Sequence, residues 1–206
     1  MVKNIAVLVS GGGTNLQALI NAQQRNELGG GEIRLVLSSR ADAYALARAE
    51  KAGIPGCVIS RKEYADTTAF NDAILNRLQQ AEIDLVVLAG FMSILSGRLL
   101  QVYRNRIINV HPSLIPAFCG DGYYGLRVHQ AALDYGVKVT GATVHFVNEI
   151  TDGGRIILQK AVEVLPDDTP ETLQRRVMEQ AEWKILPMAV SLICQGKIDE
   201  NGRISK

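Results

Sequence analysis

The sequence predicts an α/β fold: a mostly parallel open sheet with helices on both faces and antiparallel strands toward the C-terminal part. Three observations lead there. Short runs of β-branched and aliphatic residues alternate with longer segments of helical period. The runs are apolar almost throughout, as strands covered on both faces must be. After Pro112 the alternation gives way to a Gly- and Pro-rich stretch, then to two strands joined by a Thr-Asp-Gly-Gly turn, which fits an antiparallel pair.

In chain order, the spacing predicts a strand over Asn4–Val9 and a helix over Asn15–Gln24, then a strand over Ile33–Leu37 and an Ala-rich helix over Asp42–Ala52. A short strand over Cys57–Ile59 precedes a helix over Thr67–Gln80, and Leu85–Ala89 and Ile107–Val110 supply two further strands. Residues 112–126 hold two Pro and three Gly, and a short helix over Leu126–Tyr135 leads into Val139–Val147, with Thr143, His145 and Val147 on one face. Arg155–Leu165 is the partner strand. Thr169–Cys194 reads as one long helix, kinked or broken at Pro187. No linker, repeat or low-complexity tract intervenes, so residues 1–206 are read as a single domain.

Of the 206 residues, 47% are hydrophobic and 21% charged, the composition of an ordinary soluble domain. With 22 basic and 21 acidic residues the net charge is +1, so no global field draws in nucleic acid or an anionic membrane, and an anionic ligand must be held locally. Cys57, Cys119 and Cys194 form no C-x-x-C pair and are read as reduced thiols of a cytoplasmic protein. A metal site built on the three histidines, His111, His129 and His145, would need carboxylates to complete it, and no metal is expected. The apolar run Ile5–Val9 is too short for a signal-peptide core, and no membrane span is expected.

Three segments can carry chemistry. Ser10-Gly11-Gly12-Gly13-Thr14-Asn15-Leu16 joins the first strand to the first helix. Glycines let backbone N–H groups converge and a phosphate approach closely, and the helix N-terminus adds partial positive charge. The third glycine of a dinucleotide fingerprint would fall on Leu16, and no Lys follows Gly13 to make a Walker loop. A plain turn with Thr14 as cap is the alternative. In the second segment, Asn109 and His111 share a face at the carboxyl end of a strand that Pro112 stops, where open α/β sheets bind ligands. An amide beside an imidazole can stabilise an oxyanion; equally, both can be hydrogen-bonded to loop backbone. The third is Asp152, which before Gly153-Gly154 reads first as a turn residue. His145 reads as a satisfied, partly buried histidine, Cys119 lacks a neighbouring base, and Arg61-Lys62-Glu63 and Arg175-Arg176 read as solvated faces.

Together these segments resemble the phosphoribosylglycinamide formyltransferases. The resemblance spans nearly the whole chain and rests on S-G-G-G-T-N-L-Q-A-L-I at 10–20, L-A-G-F-M-S-I-L at 88–95, I-N-V-H-P-S-L-I-P at 108–116 and V-H-F-V-N-E-I-T-D-G-G at 144–154. It implies a Rossmann-like formyltransferase fold and transfer of a formyl group from 10-formyltetrahydrofolate, as co-substrate, to glycinamide ribonucleotide. Carried over, it makes Asn109, His111 and Asp152 the catalytic trio and Gly13, Thr14 and Asn15 the phosphate cradle. It sets Glu182 against the ribose, and Met92, Ser93, Ile94 and Leu95, with Asn109, against the folate. Asp152 is expected to hold His111 protonated by raising its pKa. Thr67, Ser93 and Trp183 depart from frequent family residues, and the Ala117–Gly125 loop is longer than in many members and is expected to border the site. Relatives sharing the trio, folate deformylase and methionyl-tRNA formyltransferase, carry a further domain for which this length leaves no room. A formyl-folate hydrolase and a non-catalytic phosphometabolite-binding module remain the rival readings, and monomer or homodimer stays open.

Overall fold

The computed structural model describes residues 3–199 and 201–204. Among them seven strands form one sheet: β1 (Lys3–Val9), β2 (Gly31–Ser38), β3 (Gly56–Val58), β4 (Leu85–Leu88), β5 (Ile107–His111), β6 (Val139–Phe146) and β7 (Ile156–Glu163). Their spatial order is β3-β2-β1-β4-β5-β6-β7. The first five are parallel, while β6 runs antiparallel to both β5 and β7. The helices are α1 (Thr14–Gln24), α2 (Tyr44–Lys51), α3 (Thr67–Gln80), α4 (Arg98–Val102), α5 (Leu126–Tyr135), α6 (Pro170–Val177) and α7 (Trp183–Cys194).

Strand β1 shows why its sequence is apolar without a break. Ile5, Val7 and Val9 meet Leu16, Leu19 and Ile20 of α1 and Leu186 and Val190 of α7 on one face. Ala6 and Leu8 meet Phe70, Ile74 and Leu78 of α3 on the other, so period-two alternation here sorts apolar residues between two buried layers. From β1 the chain winds outward to β2 and β3, then returns to β4 on the opposite side. That reversal opens a crevice at the carboxyl ends of β1 and β4. Ser10 fastens it: its Oγ lies 2.6 Å from Ser39 Oγ beyond β2 and accepts the Met92 N–H, beyond β4, at 2.8 Å.

Several expectations need correction. The five-residue helix α4 and a 3-10 turn at Arg61–Glu63 are too short to leave a periodic signal. The C-terminal helix is not broken at Pro187. Its irregularity lies upstream, where Met178–Glu182 form a π-helical turn between α6 and α7, and Pro187 sits inside α7 at the loss of one ladder bond. Arg176 is not on a solvated face: its guanidinium grips the Asp168 carboxylate, Nη2 to Oδ1 at 2.6 Å, with its side chain only 18% exposed. That pair secures the start of α6, where Thr169 and Thr172 form a capping box.

Candidate active site

A cavity of about 690 Å³ occupies the crevice, a size suited to a small-molecule ligand. Asn109 and His111, on one face of β5, form part of its wall, and His111 is 4% exposed. The register of β6 sets His145 opposite Asn109. Asp152 arrives from the turn between β6 and β7, held at φ 54°. Gly154, two residues on, must be glycine, because a Cβ there would fall 1.6 Å from the Phe146 carbonyl oxygen. The turn thereby brings the Asp152 carboxylate to 3.4 Å from His111 Nδ1, 3.4 Å from Asn109 Nδ2 and 3.5 Å from His145 Nε2, and it also accepts the Gly120 N–H at 2.9 Å. The predicted trio is one cluster.

The loop that the sequence placed beside the site enters it. The Phe118 carbonyl oxygen lies 2.9 Å from His111 Nε2, so the ring has an acceptor at each nitrogen. Even so, His111 titrates below its ordinary range. Burial lowers its pKa and His145 adds to that, outweighing the pull of Asp152 and the Phe118 carbonyl. Asp152 does lift the His111 pKa, as expected, but desolvation outweighs it, so the expectation that Asp152 holds His111 protonated is overturned. For Asp152 the balance goes the other way: burial alone would raise its pKa, but hydrogen bonding from His145, the His111 charge and the Gly120 N–H draw it below the usual carboxylate value.

At the other end of the crevice, the N–H groups of Gly12, Gly13, Thr14 and Asn15 find no acceptor among the described residues. The N-cap of α1 is Gly13 at φ 73°, not Thr14, whose hydroxyl instead lies 3.6 Å from Met178 Sδ. Gly13 also has a packing task that the sequence did not announce. A Cβ on it would lie 2.6 Å from Ala45 Cβ, so it admits α2, while Gly11 and Gly12 border open space. Asn15 turns inward and donates to Glu182 Oε2 at 2.6 Å. Burial raises the Glu182 pKa to about 7 against the lowering effect of Asn15.

The family model described as formyl transferase matches residues 3–190. The chain belongs to the formyl transferase family. The phosphoribosylglycinamide formyltransferase of Haemophilus influenzae is 42% identical over 197 residues, covering 96% of this chain and 90% of that protein. The trifunctional purine biosynthetic protein adenosine-3 of Bos taurus is 48% identical over 202 residues, 97% of this chain, which spans only 19% of that longer relative. Among solved structures, glycinamide ribonucleotide transformylase 1 of Symbiobacterium toebii superposes with a TM-score of 0.90 at 44% identity, covering 96% of this chain and 90% of that one.

Within the cavity, Met92 and Ile94 are 55% and 69% exposed and Ser93 is half-buried, all on the wall. Leu95 also borders the cavity but is packed into the core against the α3 side of the sheet. Thr67, at the start of α3, and Trp183 do not line it. Two residues went unrecognised from sequence. His145 is satisfied, as expected, with Nδ1 2.8 Å from the Phe146 carbonyl, but its Nε2 stands 3.2 Å from Asn109 Nδ2 and helps orient that amide. His129 of α5 is fully buried on the cavity wall with neither ring nitrogen partnered among the described residues. Burial, and after it the His111 charge, lowers its pKa to about 4. Its inward position on the Val128, His129, Ala132 face was a readable signal, a polar side chain on an apolar stripe. Among the described residues no group of three or more His, Cys, Asp and Glu is arranged to hold a metal, and no helix is long and apolar enough to cross a membrane.

Proposed function

We propose that the chain transfers the formyl group of 10-formyltetrahydrofolate to the amine of glycinamide ribonucleotide, giving formylglycinamide ribonucleotide and tetrahydrofolate in purine biosynthesis. Residues 1–206 act in this reading as one formyltransferase domain of a cytoplasmic enzyme that needs no metal. The observation that carries it is the convergence of Asn109, His111 and Asp152 in a cavity that Asn15 also borders, at the end of a loop whose N–H groups find no acceptor among the described residues. The phosphate belongs at Gly13, Thr14 and Asn15, and the ribose beside Glu182. The folate belongs against Met92, Ser93, Ile94, Leu95 and Asn109.

The chemistry follows from the pairings. An α-amino group titrates near about 7.7 to 8.0, so a useful fraction is nucleophilic at neutral pH. It attacks the formyl carbon, and the Asn109 amide, whose two N–H face His145 and Asp152 in the free site, turns one of them from its long contact with Asp152 to the oxygen as it becomes an oxyanion. His111 enters neutral, because burial holds its pKa down. When the Phe118 carbonyl withdraws from Nε2, the ring can carry its proton on Nδ1 toward Asp152 and present Nε2 as a base. Nε2 accepts the proton released by the attacking amine, Asp152 stabilises the imidazolium, and the same proton passes to the folate nitrogen as the C–N bond breaks. Loop 117–125 must therefore shift when the substrates bind.

Purified protein with 10-formyltetrahydrofolate, assayed with and without glycinamide ribonucleotide, tests this. Formylated ribonucleotide should appear in step with folate consumption. Formate without an amine acceptor would make the chain a hydrolase, and binding without turnover would make it a binding module.

A further inference from the structure

The loop between β1 and α1 is glycine three times over, at Gly11, Gly12 and Gly13, so its peptide planes have wide intrinsic freedom. A cradle for an anion needs these planes fixed with N–H groups outward, since a single flip would present a carbonyl oxygen instead. Helix α2 fixes two of them from behind. The Ala45 N–H donates to the Gly11 carbonyl at 3.1 Å, and Arg48 Nε donates to the Gly12 carbonyl at 2.8 Å. In a trans peptide the C=O and the following N–H point in opposite directions, and the only cis bond among the described residues is Ile115–Pro116. Drawing both carbonyls toward α2 therefore turns the Gly12 and Gly13 N–H groups away from it, with no other acceptor to hold them.

Arg48 is itself immobilised. Its Nη1 donates to Gln17 Oε1 at 3.0 Å, and its guanidinium carbon stands 5.0 Å from the centre of the Tyr44 ring. These partners are all neutral, and no carboxylate among the described residues forms an ion pair with it. The guanidinium thus adds a positive charge behind the loop as well as a fixed donor.

We infer that Arg48 is a positioning residue for the ribonucleotide: by holding the Gly12 carbonyl it keeps the Gly13 N–H aimed at the phosphate, without touching the ligand itself. The inference rests on the substrate reading above. It makes Arg48 the one side chain that sets the cradle, since the Ala45 contact is made by backbone.

Steady-state kinetics of Arg48→Met and Arg48→Lys, with N-methylguanidinium added back, test it. Losing one charge-assisted hydrogen bond should raise the ribonucleotide KM of Arg48→Met about 10-fold, while kcat and the folate KM stay within about twofold. Arg48→Lys, keeping a donor but not the fork, should fall between, and N-methylguanidinium should restore the Met variant toward the parent KM. Gln17→Ala, which frees one end of the guanidinium but leaves the Gly12 contact in place, should raise the ribonucleotide KM less than Arg48→Met does. A ribonucleotide KM unchanged in Arg48→Met would overturn the inference. So would a joint loss of kcat, both KM values and melting temperature that N-methylguanidinium does not mend. If the parent chain formylates no glycinamide ribonucleotide, the substrate reading has failed instead.

Discussion

At the corner of Asn109, His111 and Asp152 nearly every polar group is already bound, whereas at the loop over Gly12–Asn15 every N–H lacks an acceptor among the described residues. The first is assembled from side chains on β5, β6 and the turn after β6, with Asp152 touching His111, Asn109, His145 and the Gly120 N–H together. The second is assembled from backbone and braced from outside by α2. The difference fits what each end must do in the proposed reaction. A group that moves a proton needs its tautomer and charge controlled by neighbours, while a group that holds a fixed anion needs only donors left unpaired.

If that contrast is right, the largest loss should come from unsettling the corner. Asp152→Asn keeps the shape but removes the charge that supports the His111 imidazolium, and turnover at neutral pH should fall roughly 10²- to 10⁴-fold. The ribonucleotide KM should change far less, and steady-state kinetics with both substrates checks the split.

Glu182 borders the same cavity and receives Asn15 from the loop while buried. Its pKa is raised from about 4.5 to about 7, so the folded chain keeps a proton that the unfolded chain releases. Stability from this group is therefore full below about pH 4.5 and declines as pH rises toward about 7, by on the order of 3 kcal/mol in all. Urea unfolding across that window should show the decline in the parent, and Glu182→Gln should remove it.

A smaller effect separates two neighbouring glycines. Gly13→Ala meets both a left-handed φ and Ala45, and should cost about 1–2 kcal/mol or more. Gly12→Ala enters open space and should leave stability within about 0.5 kcal/mol. Thermal unfolding of the two variants distinguishes a glycine needed for packing from one bordering open space.

The same contrast governs how much could be read in advance. The sheet was legible because strands buried on both faces, such as Ile5–Val9, carry an unbroken apolar signal. Asn109 and His111 were legible because period two and Pro112 place them at a strand end. Asp152 was ambiguous for a physical reason: it is a turn residue at positive φ as well as a partner of His111, and only the resemblance separated the two roles. His145 needed the antiparallel register of β5 and β6, which pairs residues 36 positions apart. Phe118 and the Gly12 carbonyl act through backbone oxygen, which no side-chain identity announces. The π-helical turn that carries Glu182 was hidden behind Pro187, the more conspicuous irregularity.

The double-mutant cycle of His111→Ala and Asp152→Asn, read as kcat for formyl transfer, bears most directly on the claim that these residues act as one unit. Groups acting together lose their function once, so the double variant should be little slower than the slower single variant. Losses that multiply would show that Asp152 serves the turn alone, and that His111 works without it.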